Sequence, residues 1–160
     1  MRLILASVGR LKAGSETEMV ARYMQRAAAA ARSVGLTGVE MRECEESKDR
    51  NVATRKVQEA ATVLSLLPKG TVILALDERG QNMTSPGFSD LVAKMRDSGT
   101  PALAMVVGGP DGLDPGFAAQ AHARLAFGAM TWPHQLARIM AAEQIFRAIT
   151  ILSGHPYHRV

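Results

Sequence analysis

The sequence predicts an α/β fold with a mostly parallel sheet and helices on both faces. Short apolar runs of strand length alternate with segments in which apolar residues recur at helical spacing. The run Ala102–Val107 is apolar at every position, which is typical of a strand covered on both faces. Parallel strands need a crossover between them, usually a helix, and this requirement accounts for the alternation.

The same patterns place ten elements along the chain. The predicted strands are 2–8, 39–43, 71–76, 102–107 and a last strand around Leu125. The predicted helices run from 15 to about 35, 52–67, 85–99, a short stretch after Asp114, and 133–152. Ser15 and Glu18 have the spacing of a capping box. Asp114 followed by Pro115 is typical of an N-cap with proline at the first helical position.

Composition places the chain among ordinary globular proteins. It has 160 residues, which we expect to form a single domain, and 47% of them are hydrophobic. The net charge of +4 is compatible with an anionic partner such as nucleic acid but does not establish one. A lone cysteine, Cys44, excludes an internal disulfide framework and favours a reducing compartment, so we expect a cytoplasmic protein. Neither a membrane span nor a signal peptide is expected.

Two glycine-containing stretches follow predicted strands and indicate a ligand crevice. Gly108–Gly112 follows the fourth strand, and Phe127–Trp132 follows the fifth. Open α/β sheets bind ligands at the carboxyl ends of their strands. The first stretch matches neither a P-loop nor a dinucleotide fingerprint, so it is either a tight turn or a backbone wall against which a flat ligand lies. The second suits an adenine ring, although a core strand and its exit would look similar.

Charged and aromatic residues leave further alternatives open. Lys48, Arg50, Arg55 and Lys56 form a basic cluster that is either a solvated helix end or a phosphate-contacting patch. The tail His155–Arg159 combines a proline, a tyrosine, two histidines and an arginine, and it is either a frayed terminus or part of a site. Since no Cys, Asp or Glu joins the two tail histidines at ligand spacing, we expect no metal site.

Four stretches together resemble one known family. They are Leu76–Asp77, Val107–Gly112, Thr131–His134 and His155–Arg159. At these spacings they resemble the RlmH family of bacterial 23S ribosomal RNA pseudouridine N3-methyltransferases, small members of the SPOUT superfamily. The resemblance covers the whole chain. It implies a C-terminal trefoil knot, a homodimer, an S-adenosylmethionine cofactor, and a 23S ribosomal RNA or ribosome partner, with neither metal nor membrane involved.

The resemblance also implies roles for individual residues. The expected cofactor contacts are Leu76, Gly108, Gly109, Phe127, Gly128, Ala129, Met130, Thr131 and Trp132. The expected catalytic residues at the RNA target are Tyr157, His158 and Arg159. Two alternatives remain at this point: a SPOUT methyltransferase acting on transfer RNA, and a non-catalytic ribosome-assembly factor that binds RNA.

Overall fold

The structure is a computed structural model that describes residues 1–158; Arg159 and Val160 lie outside the described part of the chain. Residues 1–158 contain five strands: β1 Arg2–Val8, β2 Gly38–Cys44, β3 Thr71–Asn82, β4 Ala102–Val107 and β5 Ala123–Ala126. The α-helices are α1 Ser15–Ala31, α2 Val52–Leu66, α3 Ser85–Asp97, α4 Pro115–Gln120 and α5 His134–Leu152. Short 3-10 helices span Arg32–Val34 and Pro156–His158.

The strands form one parallel sheet in the order β2-β1-β4-β3-β5, which confirms the predicted α/β class. Helices cover both faces, as expected. On one face, α1, α3 and α5 pack around a core that includes Val20, Val92 and Ile145. On the other face, α2 and α4 contribute Val63 and Phe117 to a smaller core. Strand β4 lies at the centre and is buried at all six positions, because strands flank it and helices cover it on both sides.

Strand β3 is longer than predicted. The expected strand ended at 76, whereas β3 continues to Asn82 with an irregularity between Leu76 and Gln81. Both of those residues pair with Leu125 of β5, so β3 bulges outward and returns to the same neighbour. A Cβ on Gly80 would lie 2.6 Å from the backbone carbonyl carbon of Leu125. The continuation of β3 was not predicted, because the charged residues 77–79 resemble the start of a loop.

The five helices begin within one residue of their predicted starts, but only one of the two predicted capping motifs is confirmed. The Asp114 carboxylate accepts a hydrogen bond from the Phe117 amide at 2.8 Å, which confirms the predicted cap of α4. Helix α3 begins at Ser85 as predicted, with Thr84 as its cap. The predicted capping box of α1 is wrong: Gly14 occupies the cap position, and the Ser15 hydroxyl donates to Glu16 instead. Ser15 already lies inside the helix, one residue too late to cap it.

Candidate active site

A cavity of about 740 Å³ opens at the carboxyl edge of the sheet. Its walls come from the end of β3, from residues 108–112 after β4 (the glycine loop), from residues 127–132 after β5 (the exit loop), and from the start of α5. This volume lies within the range of small-molecule sites. The structure therefore brings together segments that are far apart in the sequence, because parallel strands end at one edge.

Most of the predicted cofactor residues line this cavity. Those in its wall are Leu76, Gly108, Gly109, Phe127, Gly128, Met130, Thr131 and Trp132. Ala129 belongs to the exit loop but is not part of the wall. Several further lining residues that the prediction did not include are charged, among them Lys56, Asp77, Glu78, Arg79 and Arg124. Both signs of charge are present, which suits a ligand that itself carries both.

The glycine loop requires glycine for its own packing. A Cβ on Gly108 would lie 2.6 Å from the carbonyl carbon of Gly112 and 2.8 Å from the Leu113 nitrogen. A tight turn brings these atoms together, since the Gly112 amide donates to the Gly109 carbonyl at 2.9 Å. Gly112 has a φ of 78°, a left-handed conformation that favours glycine. Of the two interpretations of this loop, the tight turn has direct geometric support.

Arg55 holds the tip of the glycine loop. Its Nε and Nη2 atoms donate to Asp111 Oδ2 at 2.8 and 2.5 Å, and its Nη1 donates to the Asp49 carbonyl at 2.7 Å. The Arg55 guanidinium is therefore engaged with two loops of its own chain. The phosphate-contacting role of Lys48, Arg50, Arg55 and Lys56 stays a prediction, and for Arg55 it would require sharing the guanidinium with Asp111. The ion pair between Arg55 and Asp111 could not be predicted from the sequence pattern, because the two residues are 56 positions apart.

The exit loop is closed by hydrogen bonds to itself and to the extension of β3. The Trp132 indole N–H donates to the Phe127 carbonyl at 3.1 Å, and the Thr131 hydroxyl donates to Glu78 at 2.9 Å. The Gly128 amide donates to Asn82 Oδ1 at 3.2 Å. Gly128 has a φ of 109° with open space around it, so its requirement for glycine comes from the backbone conformation.

His134, at the start of α5, is a cavity residue that the sequence prediction did not assign to the site. Burial lowers the pKa of its imidazole, and the neighbouring Arg138 charge lowers it further, against a smaller opposing effect of Glu46. The side chain is therefore neutral at neutral pH and can accept a proton. The motif Thr131–His134 contained a signal for it, but the histidine looked like part of a helix start.

Arg138 is buried in helix α5 and links this helix to the sheet edge. Its side chain is 1% exposed, and Nη1 contacts Glu43 Oε1 at 3.0 Å. Nη2 donates to the Val8 carbonyl at the end of β1. Burial lowers the pKa of the guanidinium, while Glu43 opposes that shift. Arg138 therefore fixes the start of α5, and with it His134, to the ends of β1 and β2.

The described part of the tail, residues 155–158, lies away from the cavity in the same chain. Neither Tyr157 nor His158 lines the cavity, and Arg159 lies outside the described residues. The Tyr157 hydroxyl donates to Glu143 at 3.1 Å, whereas the last cavity residue on α5 is Ala137. Six helical residues separate those positions, or about 9 Å along the axis. In one chain, Tyr157 and His158 are therefore not brought to the predicted cofactor residues.

Within residues 1–158, no group of three or more His, Cys, Asp and Glu side chains is arranged to hold a metal ion. Over the same range, no helix is both long enough and apolar enough to cross a membrane.

The fold is that of an α/β protein with a cavity, its candidate ligand site, at the carboxyl edge of a parallel sheet. A family model described as "Predicted SPOUT methyltransferase" matches residues 1–158. The chain belongs to the SPOUT methyltransferase family. It is 54% identical over 159 residues to "Ribosomal RNA large subunit methyltransferase H" of Methylocella silvestris, covering 99% of both chains.

A second relative with the same name, from Beijerinckia indica, is 51% identical over 159 residues, again covering 99% of both chains. Among solved structures, a probable methyltransferase from Bordetella pertussis Tohama I aligns with 92% of this chain and 95% of its own. Its sequence identity is 16% and the TM-score is 0.49. The full-length relatives confirm the family resemblance that the four sequence stretches indicated.

Proposed function

We propose that the protein methylates N3 of a pseudouridine in 23S ribosomal RNA, using S-adenosylmethionine, in the bacterial cytoplasm. The observation that carries the proposal is the cavity formed by the glycine loop and the exit loop, in a chain that shares more than half of its residues with relatives named for large-subunit ribosomal RNA methylation. These relatives favour the large subunit over transfer RNA, and a methyltransferase over a non-catalytic assembly factor.

The size and lining of the cavity support the proposed cofactor. Apolar walls from Leu76, Leu125 and Phe127 suit an adenine ring, and the adjoining loops offer backbone polar groups. The carboxylates of Asp77 and Glu78 suit a cofactor that carries a sulfonium and an ammonium group. We propose that the cofactor contacts are Leu76, Gly108, Gly109, Phe127, Gly128, Ala129, Met130, Thr131 and Trp132.

Methylation at N3 requires that the imide proton be removed, because the neutral nitrogen is a poor nucleophile. When bound, S-adenosylmethionine supplies a methyl group that is already activated on its sulfonium. The protein must then hold the base in line with that methyl group and accept the proton. Positioning of this kind is worth up to about 7–11 kcal/mol in well-oriented systems.

Two histidines are candidates for the proton acceptor. His134 is neutral and lines the cavity, and His158 belongs to the tail that we propose at the RNA target. We propose that Tyr157, His158 and Arg159 complete the catalytic site and that Arg159 binds a phosphate or the developing anion. Tyr157 stays protonated, because burial and the neighbouring Tyr23 and Glu143 raise the pKa of its phenol.

We also propose that the protein is a homodimer. Apolar side chains are exposed where the exit loop meets α5: Met130 is 75%, Trp132 43% and Leu136 42% exposed. A second copy of the chain would cover this patch and bring its own tail to the cavity. The separation of tail and cavity in one chain supports this arrangement.

We further propose that residues 1–160 form a single domain with a C-terminal trefoil knot. A single sheet unites both cores, which supports the single domain. The proposal of a knot is supported by the close approach of the extension of β3 to β5 and the exit loop. The extension of β3 pairs again with β5 at Leu125, and Asn82 contacts Gly128 of the exit loop.

The test is methyl transfer from labelled S-adenosylmethionine to three RNA substrates. These are ribosomal particles lacking the modification, supplied both as large subunits and as assembled ribosomes; transfer RNA; and an unmodified 23S transcript that contains no pseudouridine. The proposal predicts label in the subunit RNA and none in the other two. Label in transfer RNA would support the first alternative, and absence of label in every substrate would support the non-catalytic one. Label in the unmodified transcript would refute pseudouridine as the target.

A further inference from the structure

The tail is held against helices α1 and α5 by a set of contacts around Tyr157. Its ring lies 4.7 Å from the Phe146 ring, centroid to centroid. The guanidinium groups of Arg26 and Arg147 each lie 5.1 Å from the centre of the Tyr157 ring. Cations at this distance are attracted by the electrons of an aromatic ring. The tail turn Pro156–His158 is therefore anchored through Tyr157.

Glu143 is the polar centre of this anchor. Its Oε1 accepts hydrogen bonds from the Tyr157 hydroxyl at 3.1 Å and from Arg147 Nε at 2.8 Å. Its Oε2 accepts from Gln144 at 2.7 Å. The Glu143 side chain is only 17% exposed, so water competes weakly for these bonds. A carboxylate that accepts from a phenol makes a stronger bond than a neutral pair would.

The sequence places Glu143 and Arg147 as an i,i+4 pair, and an exposed pair of that kind contributes only a few tenths of a kcal/mol. The structure adds two facts to this. The pair is partly buried, and its carboxylate binds a residue that follows the helix by five positions. Helix formation alone does not require that second bond, since Tyr157 lies outside the helix.

We propose that Glu143 is a positioning residue that acts through Tyr157 to fix the tail for substrate, an inference that rests on the proposed function. Glu143 itself does not touch RNA or cofactor. It holds the phenol of Tyr157, and the residue that follows, His158, is thereby presented in a defined direction. Loss of the anchor leaves cofactor binding intact but lets the tail sample unproductive positions.

The test compares Glu143→Ala, Glu143→Gln, Tyr157→Phe and the Glu143→Ala/Tyr157→Phe double variant with wild type, using full-length protein and large subunits. Tyr157→Phe keeps the ring packing and removes only the hydroxyl. Glu40→Gln is the control. Glu40 lies on β2, away from the cavity and tail, and its partly exposed carboxylate pairs with Arg2 and Arg42. The measurements are kcat, KM for subunits, the Kd of S-adenosylmethionine, and amide hydrogen exchange of the segment 153–158.

We expect Glu143→Ala to lower kcat about tenfold, since small misplacements of reacting groups can cost one to two orders of magnitude. Glu143→Gln, which keeps an acceptor oxygen, should lose less. The Kd of the cofactor should match wild type in every variant. In the Tyr157→Phe background, Glu143→Ala should have no further effect on kcat, because the bond it removes is already absent.

Three results would overturn the inference. They are equal kcat in Glu143→Ala and wild type, independent losses that multiply in the double variant, and a matching loss in the control. The hydrogen-exchange measurement does not depend on activity: unchanged protection of 153–158 in Glu143→Ala would refute the anchor even if no RNA were methylated. Absence of methylation by wild type, with protection lost in the variant, would instead refute the proposed function alone.

Discussion

Gly108→Ala should deform the glycine loop, and the reason is steric. The new Cβ would lie 2.6 Å from the Gly112 carbonyl carbon and 2.8 Å from the Leu113 nitrogen. Both neighbours are backbone atoms, which cannot swing away as the end of a side chain can. The φ of Gly108 is outside the left-handed region, so alanine can adopt this backbone conformation without strain. The contact with the loop's own backbone therefore accounts for the whole expected effect.

The magnitude follows from this contact. Overpacking that forces backbone shifts costs about 1–3 kcal/mol. At this chain length, each kcal/mol corresponds to a fall in Tm of about 2–4 °C. A displaced loop should also weaken cofactor binding, by at least about tenfold, which equals about 1.4 kcal/mol. Thermal unfolding measures the first effect, and calorimetric titration of the folded variant with S-adenosylmethionine measures the second.

Gly38→Ala is the matched control. Gly38 begins β2, and a Cβ there would meet no atom within 4 Å. Its expected change in stability is within about 0.5 kcal/mol, as for most surface substitutions. The reasoning is refuted if Gly108→Ala has the Tm and the cofactor affinity of wild type. A wild-type Tm together with a loss of cofactor affinity would instead support the interpretation that Gly108 leaves space for the ligand.

Three further outcomes are expected. Arg55→Ala and Asp111→Asn should each weaken cofactor affinity by less than about tenfold, because a partly exposed ion pair is worth about 0.2–1 kcal/mol. The double variant should lose no more affinity than either single variant, since both remove the same interaction. Additive losses in calorimetry would argue against a direct interaction between Arg55 and Asp111 that supports cofactor binding. His134→Gln should reduce the loss of stability on acidification. Burial lowers the pKa of His134 in the folded state, so the unfolded chain binds a proton at higher pH than the folded protein does. The stability of the wild-type protein therefore falls as the pH drops through about 6.5. Urea unfolding at pH 7.5 and 5.5 measures this, and an identical acid response in the variant would refute it. For the proposed dimer, a Gly108→Val chain, whose β-branched side chain is expected to abolish cofactor binding, mixed with a chain that ends at Gly154 should recover activity that neither homodimer has, whereas an inactive mixture would mean that cavity and tail must come from the same chain.

Features encoded by neighbouring residues could be predicted from the sequence. The central strand Ala102–Val107 was found with its exact bounds, because an unbroken apolar run of that length has few alternatives. The cap at Asp114 was found because its signal lies within four residues. The two loops that line the cavity were predicted as neighbours because parallel strands share a carboxyl edge. No knowledge of side-chain contacts was needed for any of these.

Features that depend on distant residues could not be predicted in this way. The partners Arg138 and Glu43 are 95 positions apart, and Arg55 and Asp111 are 56 apart. Nothing local distinguishes these arginines from solvated ones. The return of β3 to Leu125 was hidden for a related reason, since charged residues that leave the sheet for a few positions look like the end of a strand.

Helix α5 connects three parts of the proposed site at fixed separations. Its first turn lines the cavity through His134, Arg138 binds the sheet edge, and Glu143 holds the tail. Because the helix is rigid, a docked tail cannot approach the cavity of its own chain without giving up the Glu143 bond and exposing the Tyr157 ring. A second chain can supply a docked tail without either loss. The anchor and the proposed dimer therefore support each other, since a tail held firmly on its own helix is most useful to a neighbouring cavity.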